Sequence, residues 1–307
     1  MKVLLTGASS FTGYWFAEAL AGAGIKVVAP LRGSISSYTE GVRAERVRRL
    51  QLVAEVIDLA PFGSDRFCEI ASGGYDILCH HAAQVGNYRS PDFDVAGALS
   101  ENTHHLRRVL ELLRVGGLKG VVLTGSVFEQ NEGAGNIPLV AFSPYGLSKG
   151  ITSEVVKHYC REIDVAFGKF VIPNPFGPLE EPRFAAYLMR TWKQGAVARV
   201  NTPDYLRDNI HVRLLASAYV KYVSEVAELK NAASKLNPSG YVETQGAFAQ
   251  RFAVAMRERM NLDCGVELGE QTDFSEPLMR VNTQSAKHYV ENWDEASAWD
   301  EIAQSYR

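Results

Sequence analysis

Tyr145, Gly146, Leu147, Ser148 and Lys149 follow one another in the chain and pair a phenol with an ammonium group one helical turn apart. Residues four apart share a helix face, so Lys149 is expected beside the Tyr145 hydroxyl. A free tyrosine ionises near pH ~10 and is a poor base at neutral pH. A nearby cation favours the phenolate and lowers that value, which turns a tyrosine into a usable general acid/base. Many helices carry this spacing by chance, so its weight comes from the start of the chain.

There an apolar strand, Lys2–Thr6, runs into the small-residue turn Gly7-Ala8-Ser9-Ser10, and Gly13–Leu20 continues as an apolar-faced helix. A strand–turn–helix of this kind sets a dinucleotide pyrophosphate on the helix N-terminus. Gly7, Ser10, Phe11 and Gly13 are the candidate contacts. Enzymes that use NAD place an acid at the end of the second strand to bind the ribose 2′-hydroxyl. Here the chain reads Val27-Val28-Ala29-Pro30-Leu31-Arg32-Gly33-Ser34, with no acid. Arg32 and Ser34 suit a 2′-phosphate instead, so NADP is the expected cofactor and NAD the alternative.

The chain has 307 residues, 46% hydrophobic and 22% charged, with a formal net charge of −3. That is an ordinary globular composition with a core large enough for one or two domains. The charge gives no reason to expect a nucleic-acid or membrane partner. Arg43, Arg46, Arg48 and Arg49 form a basic run that Glu40 and Glu45 interrupt, which reads as a solvated helix face. Cys68, Cys79, Cys160 and Cys264 show neither metal nor disulfide spacing, so no metal site is expected. No signal peptide precedes the first strand and no apolar run would span a bilayer, so a reducing cytoplasm is the expected setting.

Strand-like runs at Lys2–Thr6, Lys26–Leu31, Leu52–Ile57, Asp76–His80, Gly120–Thr124 and Lys169–Ile172 alternate with helix-like stretches. Those stretches are Thr12–Ala23, Asp65–Ala71, Asp92–Val115 and Tyr145–Glu162. The alternation predicts an α/β fold with a parallel sheet covered on both faces. Beyond Pro173 prolines cluster and shorter elements follow, among them Phe184–Gln194, Val212–Leu229 and Thr244–Met260. Residues 1–172 are therefore expected to bind cofactor. Residues 173–307 are expected to form mainly a smaller substrate lobe, interleaved with the sheet.

Taken in order, these segments resemble the extended short-chain dehydrogenases, the family of nucleotide-sugar epimerases, dehydratases and 4-keto-sugar reductases. The resemblance implies a doubly wound Rossmann-type sheet with a smaller C-terminal substrate-binding lobe. In the family's glycine motif the middle glycine is here Ser10. Asp58, followed by Leu59, matches the aspartate that accepts from the adenine amino group. His81-Ala82-Ala83 resembles the segment running along the cofactor, and Asn102 the asparagine behind the nicotinamide half. His80 and His81 carry no expected catalytic role. The hydroxyl partner of Tyr145 falls at Ser126, with Thr124 as runner-up, 19 positions before the tyrosine and so across a short loop.

Dehydratases of the family carry a glutamate two positions after that hydroxyl, and an epimerising reductase branch a cysteine. Val127 and Phe128 stand here, and neither moves a proton. Glu129 is a fallback, so dehydration is disfavoured. Asn174 and Arg207 match the substrate-phosphate contacts, while Arg213 stands where the family has aspartate. The resemblance also implies a homodimer built from the helices near Asp92–Val115 and Tyr145–Glu162. Three functions follow: an NADP-dependent 4-keto-sugar reductase, a C4 epimerase with retained NAD, and a non-catalytic dinucleotide-sensing regulator. The last predicts loss of Tyr145 or Lys149, and both are present.

Overall fold

The computed structural model describes residues 1–272 and 274–307. In chain order it begins β1 (Lys2–Thr6), α1 (Phe11–Gly22), β2 (Lys26–Pro30), α2 (Gly41–Val53), β3 (Glu55–Ile57), α3 (Asp65–Ala71) and β4 (Ile77–His80). Next come α4 (Val95–Asn102), α5 (Leu106–Val115), β5 (Gly120–Ser126), β6 (Ala134–Gly135), α6 (Pro144–Glu162) and β7 (Ala166–Ile172). The later part holds β8 (Asn174–Phe176), α7 (Phe184–Lys193), β9 (Ala198–Val200), β10 (Leu206–His211), α8 (Val212–Glu228) and β11 (Ala233–Leu236). It closes with β12 (Pro238–Ser239), β13 (Tyr241–Thr244), α9 (Gln245–Met260), β14 (Val266–Leu268), β15 (Arg280–Val281), β16 (Gln284–Ser285), α10 (Ala286–Tyr289) and α11 (Glu295–Ser305).

Runs such as Val3-Leu4-Leu5 and Val121-Val122-Leu123 are buried on both faces, as parallel strands covered by helices must be. The seven-stranded sheet has the order β11-β7-β5-β4-β1-β2-β3, and every pairing in it is parallel. Chain progression reverses on either side of β1. That switch point opens a crevice at the strands' carboxyl ends, where open α/β sheets bind ligands. One face packs on α1 and α8, with Phe16 stacked on Tyr219 at 3.9 Å between centroids. The other packs on α3, α5 and α6 through Phe67, Leu110 and Val156. A third core around Trp192, Phe252 and Trp299 holds α7, α9 and α11 together. Among the described residues no helix is long and apolar enough to cross a membrane.

Two expectations are corrected. The strand expected from Leu52 begins only at Glu55, because α2 runs through Val53. Val47 and Leu50 keep helical spacing into the core while Leu52 points out, 76% exposed. The helix expected over Asp92–Val115 is two helices, broken where His105 adopts a left-handed φ of 47°. The break has a local cause. The Asn102 carbonyl accepts from His80 Nε2 at 3.1 Å, and His105 Nδ1 meets the Gly63 carbonyl at 3.0 Å, so both groups serve tertiary contacts.

Candidate active site

The turn after β1 is held against the turn after β4. Gly7 has φ +74°, and a Cβ there would lie 2.8 Å from the Ala82 nitrogen. A Cβ on Gly13 would lie 2.2 Å from the Gly7 carbonyl oxygen, so α1 also abuts the turn. Ser10 has its own task as N-cap of α1. Its Oγ accepts from Gly13 N at 3.2 Å and donates to the Gly7 carbonyl at 2.9 Å, which is the usual work of a serine cap.

The two histidines at the end of β4 tie the turns together. A carbonyl can only accept, so His80 Nε2, 3.1 Å from the Asn102 carbonyl, carries the proton. Nδ1 therefore accepts from Thr6 Oγ1 at 3.1 Å, and that oxygen accepts from the His81 and Ala82 amides. His81 reaches Ser10 Oγ and Thr12 Oγ1 with Nε2 and Thr124 Oγ1 with Nδ1, all at 3.0 Å. Burial pushes His80 down to about 4 and His81 down to about 3, with Lys149 adding to both, so the imidazoles are neutral. Sequence gave them no catalytic role, and it missed their part in positioning.

Ser143 caps α6, with Pro144 in its first turn, so Tyr145 stands at the helix entrance. Its ring is met edge-on by Tyr88 at 5.9 Å and Phe93 at 5.8 Å. Lys149 lies a turn further in, buried, and its Nζ donates to the Thr124 carbonyl at 2.5 Å. Burial pushes the Tyr145 phenol up to about 12, the Glu129 carboxylate pushes the same way, and Arg183 opposes both. The lowering expected from Lys149 is thus not what this structure shows: the cation that opposes desolvation is Arg183, and burial depresses the Lys149 ammonium itself.

Thr124, Ser126, Tyr145 and Lys149 line one cleft of about 1790 Å³. Gly7, Ser10, Phe11, Arg32, Ala82, Ala83, Asn102, Asn174 and Arg207 line the same cleft. Gly13 sits behind the turn. Asp58 and Leu59 lie outside this wall: the Asp58 carboxylate accepts from Ser34 Oγ at 3.2 Å and Ile35 N at 3.1 Å, holding the loop after β2. Leu59 is 53% exposed.

Ser126 Oγ accepts from Phe128 N at 3.2 Å, and Ser126 N donates to Glu129 Oε1 at 2.7 Å. Glu129 is fully buried and paired with Lys169 at 2.6 Å; Lys169 also meets Glu132 at 2.7 Å, and Glu132 meets Lys235 at 3.0 Å. On the substrate side, Arg207 donates to the carbonyls of Leu206, Pro277 and Leu278 and to Glu276 Oε2 at 2.8 Å, with its guanidinium 4.3 Å from the Tyr205 ring centroid. Arg213 ties α8 to α11 through Glu301 and to α1 through Glu18, which accounts for an arginine in place of the family's aspartate.

The basic run on α2 is only half solvated. Arg48 and Arg49 pair with Glu45 as expected of a surface. Arg46 is fully buried, donating to the Ser9 carbonyl at 3.0 Å, to the Leu179 carbonyl at 2.7 Å and to Glu181. Arg43 reaches Ser9 Oγ and lines the cleft. The helical spacing of Arg43, Arg46, Val47 and Leu50 on one face was the overlooked signal.

A seven-stranded parallel sheet with this cleft at its switch point defines a dinucleotide-binding α/β enzyme. The chain belongs to the NAD-dependent epimerase/dehydratase family, whose pattern matches residues 3–234. No curated protein sequence matches it. Among solved structures it resembles UDP-glucose 4-epimerase from Stenotrophomonas maltophila with bound NAD and formylated UDP-arabinopyranose, at 17% identity and a TM-score of 0.74 over 100% of this chain and 98% of that one. The UDP-glucose 4-epimerase of Thermotoga maritima with UDP-glucose gives 16% and 0.72 over 100% and 99%. The dTDP-glucose 4,6-dehydratase of Streptomyces venezuelae with NAD gives 15% and 0.71 over 100% and 97%. The residues here fit a dinucleotide, since Gly7 and Gly13 keep the turn free of Cβ atoms at the capped N-terminus of α1.

Two outcomes are expected. Lys169→Met leaves Glu129 buried without its cation, which should cost about 3–5 kcal/mol in urea unfolding, and adding Glu129→Gln should recover part of that. A loss below about 1 kcal/mol would show that Lys169 does not hold the cluster together. Glu180, on the cleft wall, has Oε2 buried with no hydrogen-bond partner among the described residues, and burial pushes it up to about 8. Its carboxyl stays protonated in the folded chain while the unfolded chain ionises above its ordinary 4.5. Stability is therefore full below about pH 4.5 and falls as pH rises towards 8. Glu180→Gln should remove at least about 1.4 kcal/mol of that fall, measured as unfolding free energy near both ends of the window. Parallel pH profiles for the two proteins would contradict this.

Proposed function

We propose that this chain is an NADP-dependent reductase of a nucleotide-linked 4-keto sugar, with Tyr145, Lys149 and Ser126 as its catalytic residues. One observation carries the reading: Ser126, Tyr145 and Lys149 line the same cleft as the turn before α1, so a protonated phenol stands where an acid for carbonyl reduction is needed. The bound cofactor supplies the hydride. Tyr145 gives its proton to the sugar oxygen, Ser126 donates to the same oxygen, and Lys149 lies a turn behind, anchored on Thr124. The locked Glu129 supports reduction over dehydration, because its carboxylate is committed to Lys169 and Ser126 N. The absence of an acid between Val27 and Ser34, with Arg32 on the cleft wall, supports NADP.

Residues 1–172 then hold mainly the cofactor, and residues 173–307 mainly the nucleotide sugar. Asn174 and Arg207 serve its phosphates, for which Arg207 must exchange Glu276 for the diphosphate. Four buried free thiols suit a reducing cytoplasm. A second reading, a C4 epimerase with retained NAD, draws support from the fold shared with 4-epimerases. A dinucleotide-sensing regulator is disfavoured by the intact Tyr145 and Lys149.

The purified protein should consume NADPH only when a nucleotide-linked 4-keto sugar is added. Tyr145→Phe should lower that rate by roughly a hundred- to ten-thousand-fold with cofactor affinity unchanged. A protein that purifies with NAD and interconverts sugar epimers without consuming NADPH would give the second reading its place. A homodimer through α4, α5 and α6 is also proposed, supported by Val115 and Leu147 standing exposed on these helices; sedimentation as a monomer at micromolar concentration would refute it.

A further inference from the structure

Of the four arginines in the α2 run, Arg43 alone has no carboxylate partner among the described residues, since Arg46 holds Glu181 while Arg48 and Arg49 share Glu45. Arg43 lies on the cleft wall together with Ser9, Leu31, Arg32 and Tyr38. Its Nε and Nη2 donate to Ser9 Oγ at 3.3 and 2.8 Å. Its guanidinium carbon sits 5.4 Å from the Tyr38 ring centroid. We propose that Arg43, with Ser9 and Tyr38, forms the binding site for the 2′-phosphate of the dinucleotide, and that Arg43 rather than Arg32 sets the preference for NADP. The proposal rests on the NADP reading above.

The location follows from the fold. Ser9 precedes the cap of α1, where the pyrophosphate is received, and Leu31 ends the path of β2, where the adenosine ribose lies in sheets of this type. A group on the ribose 2′ carbon therefore projects into the space between Ser9 and the loop after β2. Arg43 spans that space from above. Ser9 and Tyr38 hold the guanidinium in place, and its remaining N–H groups are the planar donors that suit a phosphate monoester. An orientation fixed beforehand lowers the ordering cost of binding.

Arg32 lacks these supports. Its side chain is 74% exposed and its nearest carboxylate, Glu101 on α4, is 4.0 Å away. Solvent and salt screen such a contact. Ser34, the other expected ligand, is committed to Asp58.

The test titrates full-length wild type, Arg43→Gln and Arg32→Gln with NADPH, NADH, 2′,5′-ADP and 5′-ADP by calorimetry. Arg43→Gln should weaken NADPH and 2′,5′-ADP by about tenfold or more, while NADH and 5′-ADP shift by less than about twofold. The loss at Arg32→Gln should be the smaller of the two. Equal weakening of all four ligands would reduce Arg43 to a prop for Ser9 and overturn the proposal. So would a larger loss at Arg32, or an unchanged NADPH affinity for Arg43→Gln in a protein whose wild type prefers NADPH. If wild type prefers NADH and ignores 2′,5′-ADP, the NADP reading falls and this site falls with it.

Discussion

A neutral imidazole at the carboxyl end of β4 is the contact on which the cleft depends. His81 touches Ser10 and Thr12 at the start of α1 and Thr124 near the end of β5, so three elements share one ring. Burial keeps that ring uncharged; Ser10 Oγ gives its proton to the Gly7 carbonyl, so Nε2 donates to it and Nδ1 accepts from Thr124 Oγ1. Gly7 completes the arrangement, because only a residue without Cβ lets the first turn press on Ala82. The residues proposed for catalysis thus stand on strand and helix ends that neighbouring elements hold in place.

The same burial governs the charges. Lys149 is short of its ordinary basicity, Tyr145 is above its ordinary pKa, and Glu129 acts on both with the sign of a carboxylate. Lys169 compensates Glu129 from the far side. A charge imported without a partner into such a region would be costly, so Glu129, Lys169, Glu132 and Lys235 act as one balanced unit. The tyrosine's proton affinity is accordingly a property of the surrounding shell as much as of the Tyr145–Lys149 spacing.

This difference marks how far the sequence could be read. β1, α3 and α6 were legible because their caps and apolar periods are local, and the parallel sheet followed from alternation with helices. Tyr145 and Lys149 were legible from their helical spacing, and Ser126 and Thr124 from the resemblance of their strand to the family's. The helix break at His105 was hidden: it depends on His80 and Gly63, distant in sequence, drawing on the Asn102 carbonyl and the His105 ring. Arg46 was hidden for a related reason. An arginine on a charged helix reads as solvated, and only the approach of Ser9, Leu179 and Glu181 from two other segments makes its burial tolerable.

The short loop between Ser126 and Tyr145 carries the last constraint on chemistry. Arg280 is buried and donates to the carbonyls of Val127, Glu129 and Glu132 at 3.3, 3.0 and 3.2 Å and to that of Val140 at 2.5 Å. One guanidinium therefore satisfies backbone oxygens that a longer loop would leave to water, and it folds the segment inward with Glu129 beneath Ser126. What the loop presents to the cleft is Phe128 and Phe142, stacked with centroids 4.7 Å apart. Two phenyl rings exclude water but exchange no proton. With the carboxylate folded under and the rings facing the cleft, this loop brings no second base to the substrate. The hydroxyls that the end of β5 and the start of α6 bring to the cleft are then those of Ser126 and Tyr145.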